Sequence, residues 1–108
     1  MTKIDLITLT GMTAADGSII ASGATVKFNT EFFAQNNNIS IRPKVYRSRE
    51  LFDAGFNQVY TNVIPDNFTL TLVDADFYTL TPAKLYEKVR DYLNNLMGAQ
   101  VFEIKIIN

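Results

Sequence analysis

The residues with the best claim to chemistry are few, and they fall in three places. In "VDADFYTLT", Asp74 and Asp76 stand two positions apart where an apolar run ends. On a strand both carboxylates would point the same way, the geometry of a cation site or an acid–base pair. One pair falls short of the oxygen ligands that calcium takes. The plainer role is to favour the start of the coming helix through its dipole, and that is the expected one. In "RPKVYRSR", Arg42, Lys44, Arg47 and Arg49 crowd into a short span with Tyr46 among them. On a strand Arg42, Lys44 and Tyr46 share a face, and Arg47 does not. Such a stripe can grip phosphates or stack a base. The near-neutral net charge argues against a dedicated nucleic-acid binder, so the expected role is a solvated edge first, then pairing with an acidic surface on a partner or another copy, for which the Asp74 pair is a candidate mate. In "EFFAQNNN", Phe32 and Phe33 are neighbours. Strand geometry lets only one of them face the domain's own core, leaving the other for a covering loop or for a partner, as aromatic anchors do.

Other chemistry is excluded by what the chain lacks. With no cysteine and no histidine among its 108 residues, disulfides, thiolate chemistry and the usual general base near neutral pH are all absent. Zinc would need carboxylates alone. Ser18, Ser22 and Ser48 have no histidine to activate them and no nucleophile elbow around them. Lys84 and Lys88 fall on the wet side of a helix, and no glycine-rich phosphate loop occurs. Asp16-Gly17 is a turn. Asn38-Ile39-Ser40 and Asn67-Phe68-Thr69 match the glycosylation pattern by chance. No catalytic residue, metal site or cofactor is expected, and the protein is not expected to be an enzyme.

The elements that must position these groups can be read from periodicity. "KIDLITLT", residues 3–10, is a first strand, and Gly11 to Ser18 is a connection. From Ala24 the chain alternates, with Ala24, Val26 and Phe28 on one face and Thr25, Lys27 and Asn29 on the other. The amide run Gln35–Asn38 is an exposed loop. A strand from Ile39 to Tyr46 should lie at an edge or break at Pro43, which has no N–H to give a ladder. "SRELFDAG" is a short helix, with Ser48 as its N-cap and Gly55 as its stop. "NQVYTNV" and "NFTLTLV" flank "IPDN" and read as a hairpin.

Thr81 and Pro82 open the clearest element, a helix closed by Gly98 whose apolar stripe is Leu85, Val89, Leu93, Leu96 and Met97. "QVFEIKII" closes the chain as a strand with Phe102, Ile104 and Ile106 on one face. The expected fold is α+β: one β-rich domain over residues 1–108, with five to six mainly antiparallel strands, one C-terminal amphipathic helix and a final strand.

Composition agrees with a globular chain, 47% hydrophobic and 19% charged. A net charge of −1 gives no global field toward nucleic acid or membrane. The N-terminal apolar stretch is too short and polar for a signal peptide, and no run reaches the length of a membrane span. A soluble protein made in the cytoplasm is expected.

"LTLTG", Asp16-Gly17, Gly23-Ala24 and "TVKF" together resemble a pattern of immunoglobulin-like and transthyretin-like β-sandwich modules. There a first strand passes through an Asp-Gly turn and a Gly-Ala step into the next. The resemblance covers about residues 6–28, and the Thr81–Met97 helix departs from a pure sandwich.

Over its whole length the chain is similar to small structural proteins of tailed bacteriophage particles. The similarity lies in its length, its β-rich segments with one amphipathic helix, and its lack of cysteine and histidine. It implies a non-enzymatic virion subunit made in the host cytoplasm, capsid-associated or a head–tail connector. Its partners would be other virion proteins or copies of itself; no membrane, no nucleic acid and no small-molecule substrate are expected as partners. Strand edges and Phe32, Phe33, Arg42, Lys44, Tyr46, Arg47 and Arg49 are the expected contacts. The alternative is a small nucleic-acid- or carbohydrate-binding module using the basic stripe or exposed tyrosines.

Overall fold

Alternating apolar residues on both sides of the amide run make one long hairpin the centre of the fold. The computed structural model describes residues 3–107. Strands β4 (Thr25–Phe33) and β5 (Asn38–Tyr46) pair antiparallel along their full lengths, from Thr25 opposite Tyr46 to Phe33 opposite Asn38. Asn37 takes φ 54° in the turn between them, a left-handed conformation that Asn tolerates better than most residues. On one side of the hairpin, β1 (Lys3–Thr8) pairs with β4 at Leu6–Val26 and Ile7–Thr25, and with β7 (Phe102–Ile107) along its whole length. On the other side, β6 (Phe68–Thr71) pairs with Asn38–Ile41. The sheet order is β6-β5-β4-β1-β7, with every neighbour antiparallel. A separate two-stranded ribbon joins β2 (Met12–Thr13) to β3 (Ile19–Ile20) within the connection that follows β1.

One face of the sheet is covered by helix α3 (Pro82–Met97), and the core lies between them. Leu6, Val26, Ile39, Ile41 and Phe102 are buried beneath Val89 and Leu93. Tyr86 packs on Phe28 with ring centroids 4.8 Å apart, and Tyr92 stacks flat on Phe68 at 4.1 Å. The helix starts and stops where its sequence says. The Thr81 hydroxyl accepts the Lys84 N–H, Pro82 occupies the first turn, and Gly98 ends the helix at φ 69°. Leu96 departs from the expected stripe: it is 52% exposed, and Asn94 is buried in its neighbourhood of the helix instead. Both Asn94 oxygen and nitrogen serve β7. Its Oδ1 accepts the N–H groups of Val101 and Phe102, and its Nδ2 donates to the Phe102 carbonyl. These bonds hold that end of the helix turned toward the start of β7.

The architecture is the expected α+β, β-rich arrangement. Two local expectations are corrected. Strand β5 neither breaks at Pro43 nor lies at the sheet edge over its first half, where β6 covers it. Alternation of backbone direction turns Pro43 toward the β6 side, and β6 does not begin until Phe68, so the missing N–H faces a gap. The expected hairpin around "IPDN" does not form. Val59 makes a single bridge to Val45, and the chain then crosses to the ribbon, with the Ala15 N–H bonded to the Tyr60 carbonyl and the Thr61 hydroxyl to the Thr13 carbonyl. Those bonds give Tyr60 and Thr61 partners other than the second hairpin strand. The Asp-Gly turn and the Gly-Ala step are both present, and Gly17 and Gly23 take φ 89° and 86°. The face beyond them is covered by a helix rather than a second sheet.

Candidate functional site

Alternation sends Asp5, Thr25, Lys27, Asn29, Arg42, Lys44 and Tyr46 to the sheet face opposite α3. Helix α1 (Arg49–Asp53) covers one corner of that face. It forms as expected, with the Ser48 hydroxyl accepting the Leu51 N–H and Gly55 turning the chain at φ 82°. Phe52 of this helix meets the Tyr46 ring at 4.8 Å, and Lys27 Nζ lies 5.0 Å from the Phe52 centroid.

Beneath the helix sits a buried ion cluster. Asp5 is 1% exposed, and its Oδ1 lies 2.8 Å from Lys27 Nζ and 2.5 Å from Arg49 Nη1. Arg49 also reaches Asp53 one turn along α1. Burial pushes the Asp5 carboxyl up, but the hydrogen bonds and charges of Arg49 and Lys27 outweigh it and hold the group below the ordinary aspartate value. The bond to Asp5 in turn makes the Arg49 guanidinium hold its proton more tightly. This cluster joins β1, β4 and α1, and the sequence reading assigned no part to Asp5 or Lys27. One signal was available: a lone acid inside the apolar run "KIDLITL", and a lysine on the wet face of the strand it pairs with.

The basic stripe is therefore divided. Arg49 is spent on Asp5 and Asp53. Arg47 donates to the Ile19 carbonyl at 3.0 Å and the Ser18 hydroxyl at 3.1 Å, fastening the β2–β3 ribbon to the end of β5. Ser18 also bonds Asp16, which holds that carboxyl below its usual range. Arg42, Lys44 and Tyr46 do share a face, as expected. Arg42 borders a shallow depression of about 260 Å³ with Asn29, Glu31 and Ser40, while Lys44 and Tyr46 line a neighbouring groove.

The acidic pair is engaged with other side chains. Asp74 and Asp76 open a one-turn helix, α2 (Asp74–Tyr78), rather than ending a strand. Asp74 accepts a hydrogen bond from the Asn37 side chain, and Asp76 meets Lys88 at 3.4 Å. Within one chain neither carboxylate pairs with Arg42, Lys44, Arg47 or Arg49.

Phe32 and Phe33 lie at the far end of the β4–β5 hairpin, beyond the reach of α3. Neither enters the core: they are 53% and 44% exposed. Phe32 meets Phe77 of α2 edge-on at 6.3 Å, and Phe77 meets Tyr78 at 5.4 Å. Tyr78 and Val73 are 70% and 67% exposed. Bonds from the Asn37 side chain to Asp74, and from the Leu72 N–H to the Asn37 carbonyl, tie the hairpin turn to the start of α2. Phe32, Phe77 and Tyr78 thus form one aromatic run from two segments about forty residues apart in sequence, while Phe33 lies on the opposite face of the hairpin. Val73, Phe77 and Tyr78 were not among the expected contacts. Their signal was "DFY" following the acidic pair.

Comparison with protein-family models, with curated proteins and with solved structures finds no match to this chain.

Proposed function

We propose that this protein is a non-enzymatic assembly subunit, a structural protein of a phage-like particle that acts through protein–protein contacts. The observation that carries the reading is the aromatic end, where Phe32 and Tyr78 stand exposed against Phe77, with Val73 exposed at the start of the same short helix and Phe33 exposed on the other face of the hairpin. These rings lie past the end of the face that α3 covers, and large exposed aromatic side chains in such clusters are the usual anchors of interfaces. The particle as the setting rests only on the resemblance to virion subunits in length, β-rich segments with one amphipathic helix, and lack of cysteine and histidine. The ion cluster belongs to the scaffold: it fixes α1 on the sheet and leaves the aromatic end untouched.

Light scattering on the purified chain, alone and mixed with particle proteins, tests the reading. Self-association or capture of a particle protein is expected, and Phe32→Ser with Tyr78→Ser should weaken it by at least tenfold, roughly the effect of truncating an interface anchor. A protein that stays monomeric and binds no particle protein at high micromolar concentration refutes it.

A further inference from the structure

The groove beside α1 is a second site, independent of the aromatic end. Gly55 turns the chain so that the Phe56 N–H bonds back to the Leu51 carbonyl, which throws the Phe56 ring outward. The following segment is held at Val59 by its bridge to β5 and at Tyr60 by the ribbon, and the Tyr60 ring is left standing in solvent. Phe56 and Tyr60 are 61% and 68% exposed. Together with Tyr46, Phe52, Gln58 and Lys44 they line an open groove of about 560 Å³. Gln58 Nε2 lies 3.4 Å from the Tyr60 hydroxyl. Among the described residues no carboxylate lines the groove.

From the groove a positive track runs along β5. Lys44 and Arg42 share its face about 7 Å apart, the two-residue repeat of a strand, and Lys27 stands opposite Lys44. Lys27 is neutralised by Asp5, whereas Lys44 and Arg42 form no ion pair with a described residue. Asn29 lies opposite Arg42, and Glu31 opposite Ser40 ends the run. Exposed rings thus lead into two cations spaced as successive phosphates are along an extended strand. Amide groups sit beside the rings, able to meet the polar edge of a base.

The geometry points to a short single-stranded nucleic-acid site, with one or two bases stacked on Phe56 and Tyr60 and the adjoining phosphates on Lys44 and Arg42. A neutral glycan fits less well, because the groove offers no carboxylate to its hydroxyls. An acidic peptide would use the cations and leave the rings idle.

The test is fluorescence anisotropy of a labelled oligothymidylate titrated with the intact chain at low salt. Phe56→Ala and Tyr60→Ala should each weaken binding by roughly tenfold, in the range of base-stacking losses. Lys44→Ala should flatten the dependence of log affinity on log salt by about 0.7, the value for one single-strand phosphate contact. Thermal melts check that these variants remain folded. No binding at millimolar protein overturns the inference. So does binding that survives the Phe56→Ala/Tyr60→Ala double variant, or that polyglutamate displaces equally well from wild type and double variant. Phe32→Ser and Tyr78→Ser should leave the titration unchanged, so failure here and failure of the assembly role are read separately.

Discussion

Replacing Asp5 by Asn removes one negative charge and leaves two cations facing an amide. Lys27 and Arg49 are 21% and 17% exposed at the side chain, so neither is fully returned to water when its partner goes. Breaking a buried pair from one side costs about 3–5 kcal/mol. The partial exposure of both cations puts Asp5→Asn near the lower end, about 3 kcal/mol. For a chain this size a urea slope of roughly 1.2 kcal/mol/M turns that into a midpoint lower by about 2–3 M. Against a total stability of about 5–15 kcal/mol the loss is large but leaves a folded protein to measure.

Urea titrations followed by circular dichroism at pH 7 give the size, and repeating them at lower pH gives the sign. The Asp5 carboxyl is held below its unfolded value of 3.8 in the folded chain. Its contribution is therefore complete above that value and is lost as pH falls through the lower, folded one. Wild type should lose stability on acidification below about pH 4, and Asp5→Asn should lose less over the same window. A variant within 1 kcal/mol of wild type at pH 7, with the same acid profile, would refute the assignment of the cluster as the fastening of α1.

Two further outcomes separate neighbouring side chains on α3. Leu93→Ala should cost about 2–5 kcal/mol, the range for emptying a buried leucine site, whereas Leu96→Ala should stay within about 0.5 kcal/mol; paired thermal melts decide it. Asn94→Ala removes the partners of two backbone N–H groups and of one carbonyl at buried positions. It should cost about 3 kcal/mol, measured by urea unfolding, and amide exchange should quicken at Val101 and Phe102.

Where local chemistry decides, the chain was legible. Thr81, Pro82 and Gly98 define α3 through caps that need no distant partner, and Ser48 and Gly55 do the same for α1. The alternation of β4 and β5 fixed which residues share a face, including Arg42, Lys44 and Tyr46. Long-range choices were not legible. The segment around Tyr60 has the pattern of a strand but finds its partners in the ribbon at Thr13 and Ala15. Pro43 predicts an edge strand or a break, whereas its missing N–H matters only on one side and only past the end of β6. Arg47 and Arg49 looked like members of one surface stripe until the fold brought Ile19 and Asp5 beside them. A charge pattern in sequence does not distinguish cations facing solvent from cations consumed by the scaffold.

The side-chain amide of Asn94 lies where a sixth strand would add to the sheet. Phe102 turns its N–H and carbonyl away from β1, and a neighbouring chain would pair with those groups first. Asn94 fills both, one donor and one acceptor, as a peptide unit would. The remaining stretch of β7 carries Glu103 and Lys105 side by side with its exposed edge. A passing strand would find the Phe102 position of this edge already answered and could pair only from Ile104 onward. One position blocked in this way shortens the ladder that edge-to-edge pairing at β7 could form and restricts its register.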